Sequence, residues 1–223
     1  SKIIRSKKPK VFLLENVKGL VNIDSGRILK EILSVLKNTG YQVSYSILES
    51  ADFGIPQARQ RIYFVGIRND LYKSKFCFPS NSGKKSDLRS FLIDNDSDFV
   101  LKNSAYRTFL RYLENRYNKG KYDIQYLLNQ EYLVLDTRQS DLRLYKDKIP
   151  TLRSGRQGIL YVKNKIFRKL SGLEALLLQG FNLEKAKKAQ KNFAQTTILA
   201  QAGNAMTVNV MQRIGSNILE YLA

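Results

Sequence analysis

The apolar residues of this chain fall into two rhythms. Residues 11–14, Val-Phe-Leu-Leu, form a continuous apolar run of the kind found in strands buried on both faces, and it ends at the polar pair Glu15-Asn16. Downstream, Ile28, Leu29, Ile32, Leu33 and Leu36 recur at helical spacing, after an Asp24-Ser25 start and before Gly40 as a stop. Segments 41–50 and 61–68 then predict two strands on either side of a polar turn. Strand, helix, strand, turn, strand is the signature of an α/β sheet, in which ligands gather at the carboxyl ends of parallel strands.

From residue 69 to 167 the pattern loosens. Residues 78–90, FPSNSGKKSDLRS, predict a turn-rich link, and residues 103–128 predict helix with aromatic side chains set among basic ones. Segments 131–138, 142–147 and 158–167 give short strand signals separated by turns. Ser171 and Glu174 then stand in capping-box spacing, and Met211, Ile214 and Ile218 share one face of a last helix. The expected organisation is an α/β portion over 1–75, a smaller mixed domain over 76–181, and a return segment, 182–223, whose final helix packs on the first part.

Charge narrows the choice of partner. The chain of 223 residues carries 38 Lys+Arg against 19 Asp+Glu, a formal net charge of +19. Such an excess favours a polyanion, because Lys and Arg release counterions from phosphates, although solvated basic faces alone would give the same totals. Cys77 is the sole cysteine and histidine is absent, so an internal disulfide framework and a Cys/His metal site are both excluded. These features fit a reducing cytoplasm. The apolar runs are too short to cross a bilayer, so neither a membrane nor a metal is expected as a partner.

Two stretches hold candidate chemistry. In 49–68, ESADFGIPQARQRIYFVGIR, an amide and two arginines, Gln57, Arg59 and Arg61, alternate at the mouth of an apolar strand. In 148–162, Arg153, Arg156 and Gln157 are residue types that read guanine or adenine edges in a major groove. Arg138, Gln139 and Arg143 are further basic or amide candidates nearby.

Four segments in order, FLLENVKGL (12–20), ADFGIPQARQRIYFVGIR (51–68), RKLSGLEALLLQGF (168–181) and QAGNAMTVNV (201–210), resemble the C-terminal half of the bacterial DNA cytosine 5-methyltransferase family. The resemblance covers nearly the whole chain, most weakly over 75–129. It implies the C-terminal part of a Rossmann-like, S-adenosylmethionine-dependent methyltransferase sheet plus a smaller target-recognition domain, acting on double-stranded DNA by base flipping, in a restriction-modification system and on the bacterial nucleoid. Carried over residue by residue, it places Glu15 at the N3/N4 edge of the flipped cytosine and Arg61 at its O2. Gln57 and Arg59 would lie on the target nucleotide's backbone, Thr151-Leu152 matches a recognition-region dipeptide, and Asn204 and Ala205 become S-adenosylmethionine contacts, Ala205 through its backbone. Arg168 and Glu174 are read as structural.

The family's glycine-rich cofactor loop and its Pro-Cys nucleophile are absent from these residues, and Cys77 follows Phe76. The expectation is a chain that does not methylate by itself and works with a chain or segment carrying the missing motifs, leaving one edge of the first strand and the apolar face of the last helix without neighbours. A DNA-binding module without chemistry and a fragment of an RNA cytosine methyltransferase are the alternatives.

Overall fold

The computed structural model describes every residue except Ser82 and Lys84. Both belong to the turn-rich link expected over 78–90, and that part of the expectation lies outside the described residues. In chain order the elements are α1 (Lys2–Lys7), β1 (Val11–Val17), α2 (Arg27–Lys37), β2 (Tyr41–Glu49), β3 (Gln57–Ala58), β4 (Gln60–Arg68), α3 (Asn103–Leu113), α4 (Ile124–Leu128), β5 (Val134–Asp136), β6 (Arg143–Tyr145), β7 (Ile149–Pro150), β8 (Ile159–Lys163), β9 (Ile166–Lys169), α5 (Gly172–Leu177), α6 (Leu183–Asn192), α7 (Gln195–Asn204) and α8 (Val208–Leu222). They form two compact units, Ser1–Phe53 with Gln60–Lys84 and Asn209–Ala223, and Gly54–Arg59 with Lys85–Val208. The division differs from one at 75 and 181. Ala186 of α6 and Ile198 and Ala202 of α7 share a core with Leu173, Ala175 and Leu178 of the α5 region, so both helices stay in the second unit.

In the first unit three strands run in the order β1-β4-β2, with β4 antiparallel to both neighbours. β4 is central because its sequence is apolar on both sides of the pleat. Ile62 and Phe64 pack with Leu20, Leu29 and Leu33 on one face, while Tyr63, Val65 and Ile67 pack with Phe76, Val210 and Ile214 on the other. β1 is an edge strand, contrary to the reading of a strand buried on both faces: Leu14 is 39% exposed and Val17 52%. Among the described residues only β4 pairs with it. The last helix corrects a second expectation, since Val210 and Ile214 of α8 are buried in the core of this unit and its apolar face is largely covered. A third concerns α2, which starts at Arg27 behind Gly26; Asp24 does not cap it but bonds the Arg27 side chain.

The second unit holds a four-stranded antiparallel sheet in the order β6-β5-β8-β9. Its period-two pattern feeds two cores. Val134, Ile159 and Tyr161 face α5, and Leu135, Leu160 and Val162 face Phe109, Leu113 and Leu127 of α3 and α4. The strand signal at 158–167 is a hairpin, turned at Asn164 and Lys165, both with positive φ (55° and 57°), as two-residue hairpin turns require. The helix expected over 103–128 is split in two around a turn held by buried Asn118, whose amide bonds Tyr112 O, Ser140 O and Leu142 N. Apart from this sheet, β3 pairs in parallel with β7, joining residues 57–58 to 149–150.

Phe12 sits opposite Gly66 across β1 and β4, and a Cβ added at Gly66 would lie 2.1 Å from the Phe12 ring. A glycine in a central strand is otherwise a loss, so the ring is what it serves. Gly66→Ala should therefore cost about 1–3 kcal/mol in a urea unfolding curve. In a Phe12→Ala background the same change should cost nearly nothing, and equal costs in both backgrounds would show that the ring is not the cause.

Candidate functional site

Glu15 and Arg61 meet on adjacent strands of the first unit. Glu15 is opposite Tyr63 and Val17 is opposite Arg61, so the two side chains are diagonal neighbours on one face of the sheet. Arg61 Nε lies 2.9 Å from Glu15 Oε1, with side-chain exposures of 15% and 23%. Arg61 Nη1 donates to Gln60 O at 2.9 Å. The pair is thus fixed through Nε, Nη1 and a single carboxylate oxygen, and the remaining oxygen and amino group make no protein hydrogen bond among the described residues. On the opposite face, Lys18 Nζ donates to Gln60 Oε1 and Gln60 Nε2 to Glu49 Oε2, closing off that side of the strand mouth.

Gln57 and Arg59 do not join them. Both lie in the second unit and are buried, at 0% and 3% exposure, which corrects their reading as contacts to a nucleotide backbone. Gln57 Nε2 donates to Leu178 O at 2.6 Å and its Oε1 accepts from Leu152 N at 3.1 Å. Arg59 donates through Nη1 to Leu152 O at 3.0 Å and through Nη2 to Ala205 O at 2.7 Å and Gly203 O at 3.4 Å. Period-two alternation puts 57, 59 and 61 on one side of a single strand, but the chain breaks at Arg59 between β3 and β4. The break turns Arg61 to a different neighbourhood.

Two more candidates turn inward. Thr151 Oγ1 donates to Ala58 O. Arg138 makes a bidentate pair with Asp136, Nε to Oδ1 and Nη2 to Oδ2 both at 2.7 Å, and Nη1 donates to Thr151 O at 2.8 Å. Burial alone would raise the Asp136 carboxyl, but the bonds and charge of Arg138 outweigh it and hold it below the ordinary carboxylate range. Asp136 was not a sequence candidate; its signal is the spacing Asp136-x-Arg138, which places both on one side of an extended chain. Gln139 is half-buried with its carbonyl bonded by Tyr112, and Arg143 is paired with Asp141. Arg153, Arg156 and Gln157 are exposed as well, on a loop held at its root by Thr151 and Leu152. Beneath that root passes Gly203, where a Cβ would lie 2.2 Å from Ser154 N. The space above this glycine is filled by the chain's own backbone.

Asn204 ends α7 with its side chain exposed, so its amide is open to a ligand. Ala205 fits less well: its N–H bonds Gln201 O and its carbonyl accepts from Arg59. Glu174 and Arg168 are structural. Ser171 and Glu174 form a reciprocal capping box, Glu174 Oε1 accepts from Tyr161 Oη and Asp94 N, and Arg168 donates to Asp94 O and Asp96 O. Burial pushes the Glu174 carboxyl up to about 7, against the lowering pull of the Ser171 N–H and the Tyr161 hydroxyl. Cys77 is exposed, and among the described residues no helix is long and apolar enough to cross a membrane.

The model of the C-5 cytosine-specific DNA methylase family matches residues 1–220. The chain belongs to this family. It is 32% identical to the Type II methyltransferase M1.ScrFI of Lactococcus lactis subsp. cremoris, over all of this chain and 54% of that protein. It is also 32% identical to the Type II methyltransferase M.Bsp6I of Bacillus sp. (strain RFL6), over 97% of this chain and 67% of the relative. The chain therefore spans about half to two thirds of the length of these methylases. The solved Dnmt2 methyltransferase of S. pombe superimposes with a TM-score of 0.63 at 20% identity, over 96% of this chain and 67% of that one, a likeness of fold.

Arg59→Ala should cost the chain about 2–4 kcal/mol in urea unfolding, because it takes a donor from the buried carbonyls at 152 and 203 and from the half-buried one at 205. Arg59→Lys, which lacks the planar fork, should recover little of that. Glu174 gives a pH signature. Its folded pKa is raised above the unfolded value of 4.5, so the native state holds a proton that the unfolded chain releases. This contribution is fully present below pH 4.5 and is lost as pH rises to about 7, where unfolding should be easier by roughly 3 kcal/mol. Glu174→Gln should flatten the slope of stability between pH 5 and 7.

Proposed function

We propose that this chain supplies the cytosine-binding and DNA-reading parts of a DNA cytosine-5 methyltransferase of a restriction-modification system. The observation that carries the reading is the Glu15–Arg61 pair, fixed on one sheet face with one carboxylate oxygen and one guanidinium amino group left over. Addition of a nucleophile at carbon 6 of cytosine pushes electron density onto N3 and O2. A carboxyl group held at the N3/N4 edge shares a proton there, and a guanidinium donates to O2, so both oppose the charge that develops. Each partner of the pair orients the other before the base arrives. No rotamer search is then needed when the flipped base enters.

Arg153, Arg156 and Gln157 read base edges in this proposal, and Thr151 and Arg138 act behind them by holding the loop root. S-adenosylmethionine supplies the methyl group when bound, and the exposed amide of Asn204 is this chain's fitting contact for it. Cys77 is preceded by phenylalanine, so the attacking thiolate comes from a partner segment that carries the family's Pro-Cys and glycine-rich motifs. The alternative of a DNA-binding module without chemistry leaves the Glu15–Arg61 pair without a task, since duplex binding does not require it.

The 223-residue chain should bind duplex DNA, more weakly as salt rises, and should show no methyl transfer from labelled S-adenosylmethionine. Adding a protein that carries the missing motifs should restore transfer. In that complex Glu15→Gln and Arg61→Ala should each lower the rate about 10²- to 10³-fold with little change in DNA affinity, because both act where charge develops. Full turnover with impaired binding in Glu15→Gln would instead make the binding-module reading the better one.

A further inference from the structure

The second unit contains an open cleft of about 1170 Å³ lined on one part by the exposed loop residues Arg153, Arg156 and Gln157 and on another by Ser104 and Thr108 of α3. Helix α3 lies in the stretch that least resembles the family, so no motif speaks for it. Its exposed stripe is 104, 107, 108 and 111, at spacings of three and four residues, and the two positions that flank Ser104 and Thr108 are Arg107 and Arg111. Arg27, Arg61, Arg68, Arg89, Arg138 and Arg143 each pair with a carboxylate, and Arg59 and Arg168 are buried on backbone carbonyls. Among the described residues no carboxylate pairs with Arg107, Arg111, Arg153 or Arg156. Arg153 and Arg156 line the cleft, and Arg107 and Arg111 stand on the exposed α3 stripe whose Ser104 and Thr108 line it; guanidinium groups so placed fit a chain of phosphates, since the planar fork matches phosphate oxygens. Asp96 and Asp98 also line the cleft, and as carboxylates they disfavour a phosphate next to them.

We propose that α3 is a phosphate rail: Arg107 and Arg111 bind the backbone of the DNA duplex whose base edges the 153–157 loop reads. The inference rests on the DNA-methyltransferase reading above and adds a second wall to it, with affinity assigned to the helix and sequence choice to the loop. Ser104 supplies a neutral hydroxyl donor to the same phosphates, while the Thr108 hydroxyl donates to Ser104 O within the helix.

The test is equilibrium binding of the full chain to a random-sequence DNA duplex pool across a salt series, followed by sequencing of the bound fraction. Arg107→Ala/Arg111→Ala should weaken binding about 10- to 100-fold near 0.1 M salt and make the slope of log K against log salt shallower by about 2. The sequences of the bound fraction should not change, whereas Arg156→Ala should change them. Arg107→Lys/Arg111→Lys should keep most of the slope, because it keeps the charge. Both alanines favour helix, and an unchanged unfolding curve excludes misfolding. Lys187→Ala/Lys188→Ala, on exposed positions of α6, removes equal charge and should leave the slope nearly intact. An equal loss in that control, or an unchanged slope in the α3 variant while the parent binds DNA, overturns the rail and spares the proposed function. Tighter binding to an RNA duplex of the same length with the same α3 dependence overturns the choice of DNA. If the parent chain binds no duplex at all, the proposed function falls and the rail with it.

Discussion

A single buried guanidinium organises the second unit. Arg59 reaches backbone carbonyls at 152, 203 and 205, and Gln57, two residues before it, reaches Leu152 and Leu178. These atoms belong to the root of the exposed loop, the end of α7 and the end of α5, segments that are distant in sequence and share no β ladder. Helix ends and loop roots carry backbone groups without partners of their own, and they are costly to bury unsatisfied. Arginine suits the task because it stays charged and offers several donors in a fixed plane. The exposed arginines of the loop depend on an arginine that never sees solvent.

The elements that depend on periodicity were legible in the sequence, and those that depend on tertiary satisfaction were not. α2 and α8 each carry a repeating apolar pattern, β4 is a continuous apolar run, and the capping box at Ser171 and Glu174 is a local motif that needs no partner outside its own turn. α6 and α7 escaped notice for opposite reasons. α6 is rich in lysine and buries only Ala186, while α7 has little contrast between its faces. Of the candidate residues, Glu15, Arg61, Arg153, Arg156, Gln157 and Asn204 remain open to a ligand. Gln57, Arg59, Arg138 and Thr151 are consumed inside, because a sequence shows which groups can bond but not which carbonyls will need them.

The basic charge is sorted by position. Arg138 is locked to Asp136 and Arg61 to Glu15, so these cations are oriented and their fields partly cancelled at short range. The exposed loop and α3 carry arginines with no such partner, and their field extends into solvent until salt screens it. The same residue type thus serves as a brace where it is paired and as an attractor where it is not.

The contact between Gly203 and the loop root couples two properties that evolution would otherwise vary separately. The backbone at 153–154 rests on a helix residue without a Cβ, so the height at which the loop stands is set from α7 and not from within the loop. Exchanging residues 155–157 for those of another methylase leaves that support untouched and amounts to replacing a tool in its holder. Adding one carbon at 203 would lift the holder itself, tilting the whole loop at once without changing any residue of 155–157.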